Sequence, residues 1–279
     1  MKSNMKEMTL REVQLVSLDI LKDVHRFCVE NNIAYSLSGG TLLGAIRHKG
    51  FIPWDDDLDI QIPRPDYDRF INTYVSKCGY KLFSREIPGG ENVRIRLTKI
   101  CEMEKTFMDN GPYTWTNVKT GIGIDVIPVE GAPSSYNEMK AHLKKMAFWG
   151  SLVSIWRVYD APVITVFRYS KTKDRLKFLF KKILAPFVSG RCLDKYLEEQ
   201  KKYDYDKSNY FCAGPHYGMG EWQPKENMKD YILHKFEDSD FYVMTGYKQN
   251  LESLFGNFME YPPEEQRVSH SFYKYYWIS

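Results

Sequence analysis

The sequence predicts an α/β chain of the α+β kind: a mixed sheet with helices in the first half and a helical, aromatic- and lysine-rich second half. Three observations carry this. Up to about residue 134 the apolar pattern switches repeatedly between the helical period and the two-residue period of strands. Glycine or proline stands at most of the switches. Residues 135–205 are then helix-prone and rich in Lys, Phe, Leu and Trp. A core over 1–134 and a closing, acceptor-binding region over 135–279, packed as one unit, are expected.

Thr9-Leu10-Arg11-Glu12 has the form of a capping box, and Val13, Val16, Ile20, Val24 and Phe27 continue it as a helical stripe that Asn31-Asn32 ends. Ile33 to Leu37 reads as a short strand, and Ser38-Gly39-Gly40-Thr41 turns the chain into a helix through Leu42, Leu43 and Ile46. Leu58 to Ile62 alternates as a strand, with a helix expected from about Asp66 to Lys77 and Gly79 as its cap. Strands follow at Lys81–Phe83, Val93–Ile100 and Gly121–Val129. Residues 206–279 hold turns, aromatics and a final helix near Gln249 to Phe255.

The bulk numbers bound the function. With 279 residues and 43% hydrophobic residues the chain can bury a full core. A net charge of +3 argues against a general nucleic-acid binder. Five scattered cysteines without a CxxC fit reduced thiols. The first residues show no apolar signal region, and no run reaches the ~18 apolar residues of a spanning helix. A cytoplasmic protein is expected.

The chemistry is expected at Asp55-Asp56-Asp57-Leu58-Asp59. Asp57 and Asp59 are two apart at a strand start, so both carboxylates point to one face, and Asp55 continues that parity if the extended conformation reaches back that far. Like charges on one face repel unless a cation neutralises them, and oxygen ligands suit Mg²⁺ or Mn²⁺. A solvated acidic turn explains the cluster equally well when it is taken alone. The paired glycines 39 and 40, flanked by Ser38 and Thr41, would let backbone N–H groups approach a phosphate at a helix N-terminus, although an ordinary tight turn has the same sequence. Asp125, inside the apolar strand Gly121–Pro128, needs a partner: a metal shared with Asp57 and Asp59, or a salt bridge to Arg94 or Arg96. Glycine turn, helix, D-x-D strand and a later carboxylate resemble, in that order, the nucleotidyltransferase fold.

The stretch from Gly39 to Asp59, continued by Pro63-Arg64-Pro65-Asp66-Tyr67, Gly123 to Pro128 and Pro262 to Arg267, resembles the LicD family of phosphorylcholine transferases, related to the fukutin-type ribitol-phosphate transferases. The resemblance implies transfer of a phospho-alcohol, as from CDP-choline, to a sugar hydroxyl of a glycan or lipid-linked glycan, with release of CMP. It implies that Asp55, Asp57, Asp59 and Asp125 hold the metal, with Asp57, Asp59 and Asp125 catalytic. Residues 130–250 carry few family landmarks. True nucleotidyl transfer from an NTP, and a non-catalytic glycan- or membrane-surface binder, stay open beside it.

Arg47, His48 and Lys99 are candidates for gripping the donor diphosphate, against a local ion pair, a surface residue and a solvated strand face respectively. A choline would need aromatic faces; Trp54, Tyr113, Trp115, Tyr217, Trp222 and the run Phe272-Tyr273-Lys274-Tyr275-Tyr276-Trp277 are available. Cys212 and His216 have half the spacing of a metal site. Residues 147–190 interleave Phe and Trp with Lys and Arg, which fits peripheral contact with an anionic membrane or, equally, core helices with a basic outer face.

Overall fold

The computed structural model describes residues 5–109, 119–169, 171–269 and 273–278. Strand β1 (Met5–Glu7) leads into helix α1 (Leu10–Glu30), opened by the expected capping box: Thr9 Oγ1 accepts the Glu12 N–H, and Glu12 accepts the Thr9 N–H at 2.7 Å. Its apolar stripe buries Val13, Ile20, Leu21 and Val24, and Asn31 caps its end, followed by Asn32 at φ +51°. Next come β2 (Ser36–Leu37), α2 (Gly39–His48), β3 (Asp59–Pro63) and α3 (Arg64–Thr73). The third helix starts two residues before expectation, because Pro65 fits the first turn, and stops four residues earlier, at Thr73. Gly79, at φ +85°, serves a later turn instead of capping it.

Strands β4 (Lys81–Phe83), β5 (Thr98–Cys101), β6 (Thr106–Asp109) and β7 (Gly123–Ala132) complete the first half. The strand expected from Val93 is paired only from Thr98. Val93 and Ile95 do alternate inward, but into a small cluster with Cys101, while Arg94 pairs with Asp160 and Arg96 lies over the Tyr196 ring. Their period records burial without sheet pairing.

The second half comprises α4 (Tyr136–Trp156), α5 (Thr172–Leu184), α6 (Arg191–Gln200), β8 (Tyr210–Cys212), β9 (Gln223–Pro224), the hairpin β10 (Tyr231–Phe236) and β11 (Ser239–Met244), α7 (Tyr247–Phe255) and β12 (Lys274–Ile278). The main sheet has the order β2-β3-β7-β5-β4, with β8 and β9 extending from the far end of β7. β3 and β7 are parallel; β2–β3, β7–β5 and β5–β4 are antiparallel. A second sheet, β1-β12-β6, joins the two ends of the chain. The hairpin, which the sequence reading did not identify, packs beside β2, where Met244 N–H donates to Ser36 Oγ at 2.9 Å. Phe236, Phe241, Val243, Met244 and Leu251 belong to the same core cluster as Ile20, Ile60 and Ile124. The boundary at 134 therefore separates sequence character, while the main core draws on both sides of it.

Candidate active site

Strand parity builds the site. Ile60 and Ile62 of β3, and Ile124 and Val126 of β7, turn into the core. Asp57, Asp59 and Gln61, and Asp125 and Ile127, turn the other way and line a cavity of about 630 Å³, joined by Asp55. Asp56, of opposite parity, is not on that wall and lines a smaller adjoining recess of about 250 Å³, which Asp57 and Asp125 also border. The register places Asp59 opposite Asp125 across the parallel pair and Lys99 opposite Asp125 across the antiparallel pair. Three ionisable groups thus form one row over three neighbouring strands. Lys99 and Asp125 are ion-paired, so the partner of Asp125 is neither Arg94 nor Arg96.

The glycine turn shares a cavity with the two carboxylates of this row, while Lys99 lines the smaller recess. Ser38, Gly39 and Gly40 line the cavity. Gly39 opens α2 at φ +50°, a conformation that glycine adopts without strain. A Cβ on Gly40 would lie 2.7 Å from Asp55 Oδ2, so only glycine lets that carboxylate come so close. Ser38 makes no side-chain capping bond to α2, and its N–H donates to Asp59 O at 3.0 Å. Thr41 Oγ1 accepts the Asp59 N–H at 2.9 Å. Thr41 therefore fixes the carboxylate-bearing strand against the helix start.

Burial pushes the Asp59 carboxyl well above the usual carboxylate range, and the charges of Asp57, Asp125 and Asp55 reinforce the shift while Lys99 opposes it. Burial pulls Lys99 down, but its contact with Asp125 outweighs this and raises it. Tyr217 hangs over the same wall: burial, then the charges of Asp59, Glu221, Asp57 and Asp55, push its hydroxyl up.

Arg47 and His48 do not line the cavity. Arg47 Nη1 donates to Phe258 O at 2.8 Å and Glu260 O at 2.9 Å, and its guanidinium stacks on Tyr261. His48 packs edge-on against Trp54 and Tyr261. Of the aromatic candidates, Tyr217 lines the main cavity and Tyr273 and Tyr275 the recess. Trp54 is under Arg267, Trp222 donates to Pro133 O at 2.8 Å, Tyr276 stacks on Phe107 and Trp277 donates to Glu12. Tyr113, Trp115 and Phe272 lie outside the described residues. Cys212 is buried with its thiol directed at Gly214 O, whereas His216 lines the cavity. Among the described residues no three His, Cys, Asp or Glu side chains stand together as a ready-made metal cage.

The structure adds residues to the cavity wall that the sequence reading did not single out: Gln61, Tyr196 of α6, Glu221 and Asn250, together with Ala147, Gly150, Ser151 and Ser154 of α4. Gln61 could have been found, since it continues the parity of Asp57 and Asp59. Tyr196, Glu221 and the α4 residues carry no local signal, because long-range packing alone brings them there. Glu221 is buried enough to push its carboxyl up to about 7.

A mixed sheet with a glycine turn at a helix start and a row of carboxylates on neighbouring strands defines a transferase of nucleotidyltransferase-like fold. Residues 32–120 match the family model described as LicD/FKTN/FKRP, nucleotidyltransferase domain. The chain is 33% identical over 275 residues to the lipopolysaccharide cholinephosphotransferase LicD of Haemophilus influenzae, spanning 95% of this chain and 97% of that protein. An uncharacterised protein of Rickettsia typhi is 40% identical over 88 residues, covering 30% of this chain and 28% of its own length. The chain belongs to the LicD family. It is an enzyme of the LicD phosphotransferase type.

Proposed function

We propose that the enzyme moves a phospho-alcohol, phosphocholine first among the candidates, from a CDP-alcohol to a hydroxyl of a cell-surface glycan or its lipid-linked precursor, releasing CMP. The observation that carries this reading is the pair Asp59 and Asp125 on neighbouring strands, sharing one cavity with the Gly39-Gly40 turn, with Lys99 paired to Asp125 from the adjoining recess. Backbone N–H groups at the start of α2 would receive the donor diphosphate, where the helix adds positive potential. The acceptor oxygen attacks the phosphorus that bears the alcohol. The bond from that phosphorus to the bridging oxygen breaks, and CMP leaves with the bridging oxygen. The hydroxyl proton passes to a carboxylate of the row, Asp125 in this reading.

The donor chemistry fits a divalent cation: four carboxylates, Asp55, Asp57, Asp59 and Asp125, line one wall, and burial, reinforced by the charges of the other three, raises Asp59. Mg²⁺ or Mn²⁺ typically takes one or two carboxylates and completes its shell with substrate phosphates, so such a wall would hold it without a closed cage of protein ligands. When bound, the ion would neutralise charge on the diphosphate. The choline-binding aromatics would come from Tyr217, or from Tyr273 and Tyr275 beside the recess.

The test is CMP release from CDP-choline in the presence of glycan acceptor. Asp57→Ala and Asp59→Ala should each lower turnover by about 10³-fold or more while the circular-dichroism spectrum stays native. Near-normal turnover in either variant would sink the assignment. Pyrophosphate release from CTP, without CMP release from CDP-choline, would establish nucleotidyl transfer in its place.

A further inference from the structure

A surface helix of a soluble protein ordinarily turns its apolar stripe inward and its polar face to water. Helix α5 is apolar on both sides. Its inner face buries Phe178 against Val158, Ala161, Val166 and Tyr169, and Lys181 and Lys182 reach back to Ser154 Oγ and to the Val158 carbonyl. Its outer face presents Leu176, Phe180 and Ile183, followed in the next turn by Phe187, with 63, 63, 68 and 84% of their surfaces exposed. The spacing of four, three and four residues keeps them in one line. Val163, Ile164 and Phe167 of the preceding 3-10 turn are exposed too, at 58, 73 and 73%. Single exposed apolar residues need no explanation, but a grouped set on neighbouring turns marks an interaction surface.

The charge around this face selects the occupant. Between residues 161 and 190 the chain carries seven lysines or arginines and a single acidic residue, Asp174. Lys171, Lys173 and Lys177 are exposed beside the apolar line. An apolar strip within a basic field is complementary to an anionic lipid surface, where rings and aliphatic side chains enter the headgroup boundary and lysines meet phosphates. Among the described residues no helix is long and apolar enough to cross a membrane, so the contact would be peripheral. We infer that the outer face of α5, with the turn at 163–168, docks the enzyme on an anionic bilayer. Lys181 ties α5 to Ser154, a residue of the cavity wall, so the docking face and the site belong to one packed unit.

Co-sedimentation of the full chain with vesicles tests this, and needs neither donor nor turnover, so its outcome is independent of the transfer reaction proposed above. Binding to phosphatidylcholine vesicles containing phosphatidylglycerol at low salt is expected, with about tenfold less binding at high salt or to phosphatidylcholine alone. The variant Leu176→Gln/Phe180→Gln/Ile183→Gln and the variant Lys173→Glu/Lys177→Glu should each lose about tenfold in binding while keeping the native melting profile. No binding of the unaltered protein to anionic vesicles would overturn the inference. So would unchanged binding of the glutamine variant, and so would a salt-insensitive dimer in analytical ultracentrifugation that the glutamine substitutions dissociate, since a second copy would then be what covers the face.

Discussion

Glu221 stands on the wall of the main cavity with its carboxyl pushed up to about 7 by burial, within reach of physiological titration. Its ordinary value is near 4.5, so between about pH 4.5 and 7 the unfolded chain carries the charge while the folded protein keeps the proton. The native state then binds more protons than the unfolded state, and stability falls as pH rises through that window. Replacing Glu221 with Gln removes the titration. The expected outcome is that the melting temperature of Glu221→Gln falls less than that of the parent between pH 5 and about 7.5, with the two curves parallel above it. Equal slopes across that interval would show that Glu221 titrates as an exposed carboxylate. At this scale the sequence was most informative where parity governs: Asp55, Asp57 and Asp59 share the cavity wall, and Asp56 faces away. It was silent on Glu221, whose shift comes from packing by segments distant along the chain.

Elements explain why two candidates, Arg47 and His48, sit elsewhere. α2 does begin at the glycine turn, but its ten residues carry its far end away from the cavity, so Arg47 and His48 emerge on the side of Phe258 and Tyr261. Position after the motif in sequence is not proximity to it in space. Arg47 there satisfies two backbone carbonyls of the segment after α7 and stacks on Tyr261, and burial lowers its affinity for the proton. Arg47→Ala should cost about 1.5–3 kcal/mol in chemical denaturation, the range for hydrogen bonds to a charged group, while leaving the KM for the CDP-alcohol within about threefold of the parent. A large rise in KM with no loss of stability would return Arg47 to the donor site. The strand at 93–100 carries a related lesson. Alternation of Val93 and Ile95 with Arg94 and Arg96 correctly reports which side chains turn inward, yet hydrogen-bonded pairing begins only at Thr98, because pairing depends on a neighbour strand that local sequence does not reveal.

Across the whole molecule, the two ends of the chain close the smaller recess behind the row of carboxylates. β12 lies between β1 and β6, Met8 N–H donates to Tyr275 O at 2.8 Å, and the Tyr275 ring joins the main core while lining the recess with Lys99, Asp57 and Asp125. The aromatic run at 272–277 was legible as a set of rings but not as a strand, since its partners are more than 160 residues away in sequence. Burial, then the charges of Asp56, Tyr273, Asp57 and Asp125, push the Tyr275 hydroxyl well above its ordinary range. Packing and polarity can be separated here by two substitutions. Tyr275→Ala removes the ring from the core and should destabilise the protein by about 3 kcal/mol. Tyr275→Phe keeps the ring, so its stability should stay within about 1 kcal/mol of the parent, and any change in turnover then reports the lost hydroxyl. If Tyr275→Phe leaves both kcat and the KM for the CDP-alcohol unchanged, the recess supports the strand row without touching the donor. A fall in kcat at constant stability would place the end of the chain in the reaction itself, so that the tail joins Asp57 and Asp125 as part of one site assembled from sequence-distant segments.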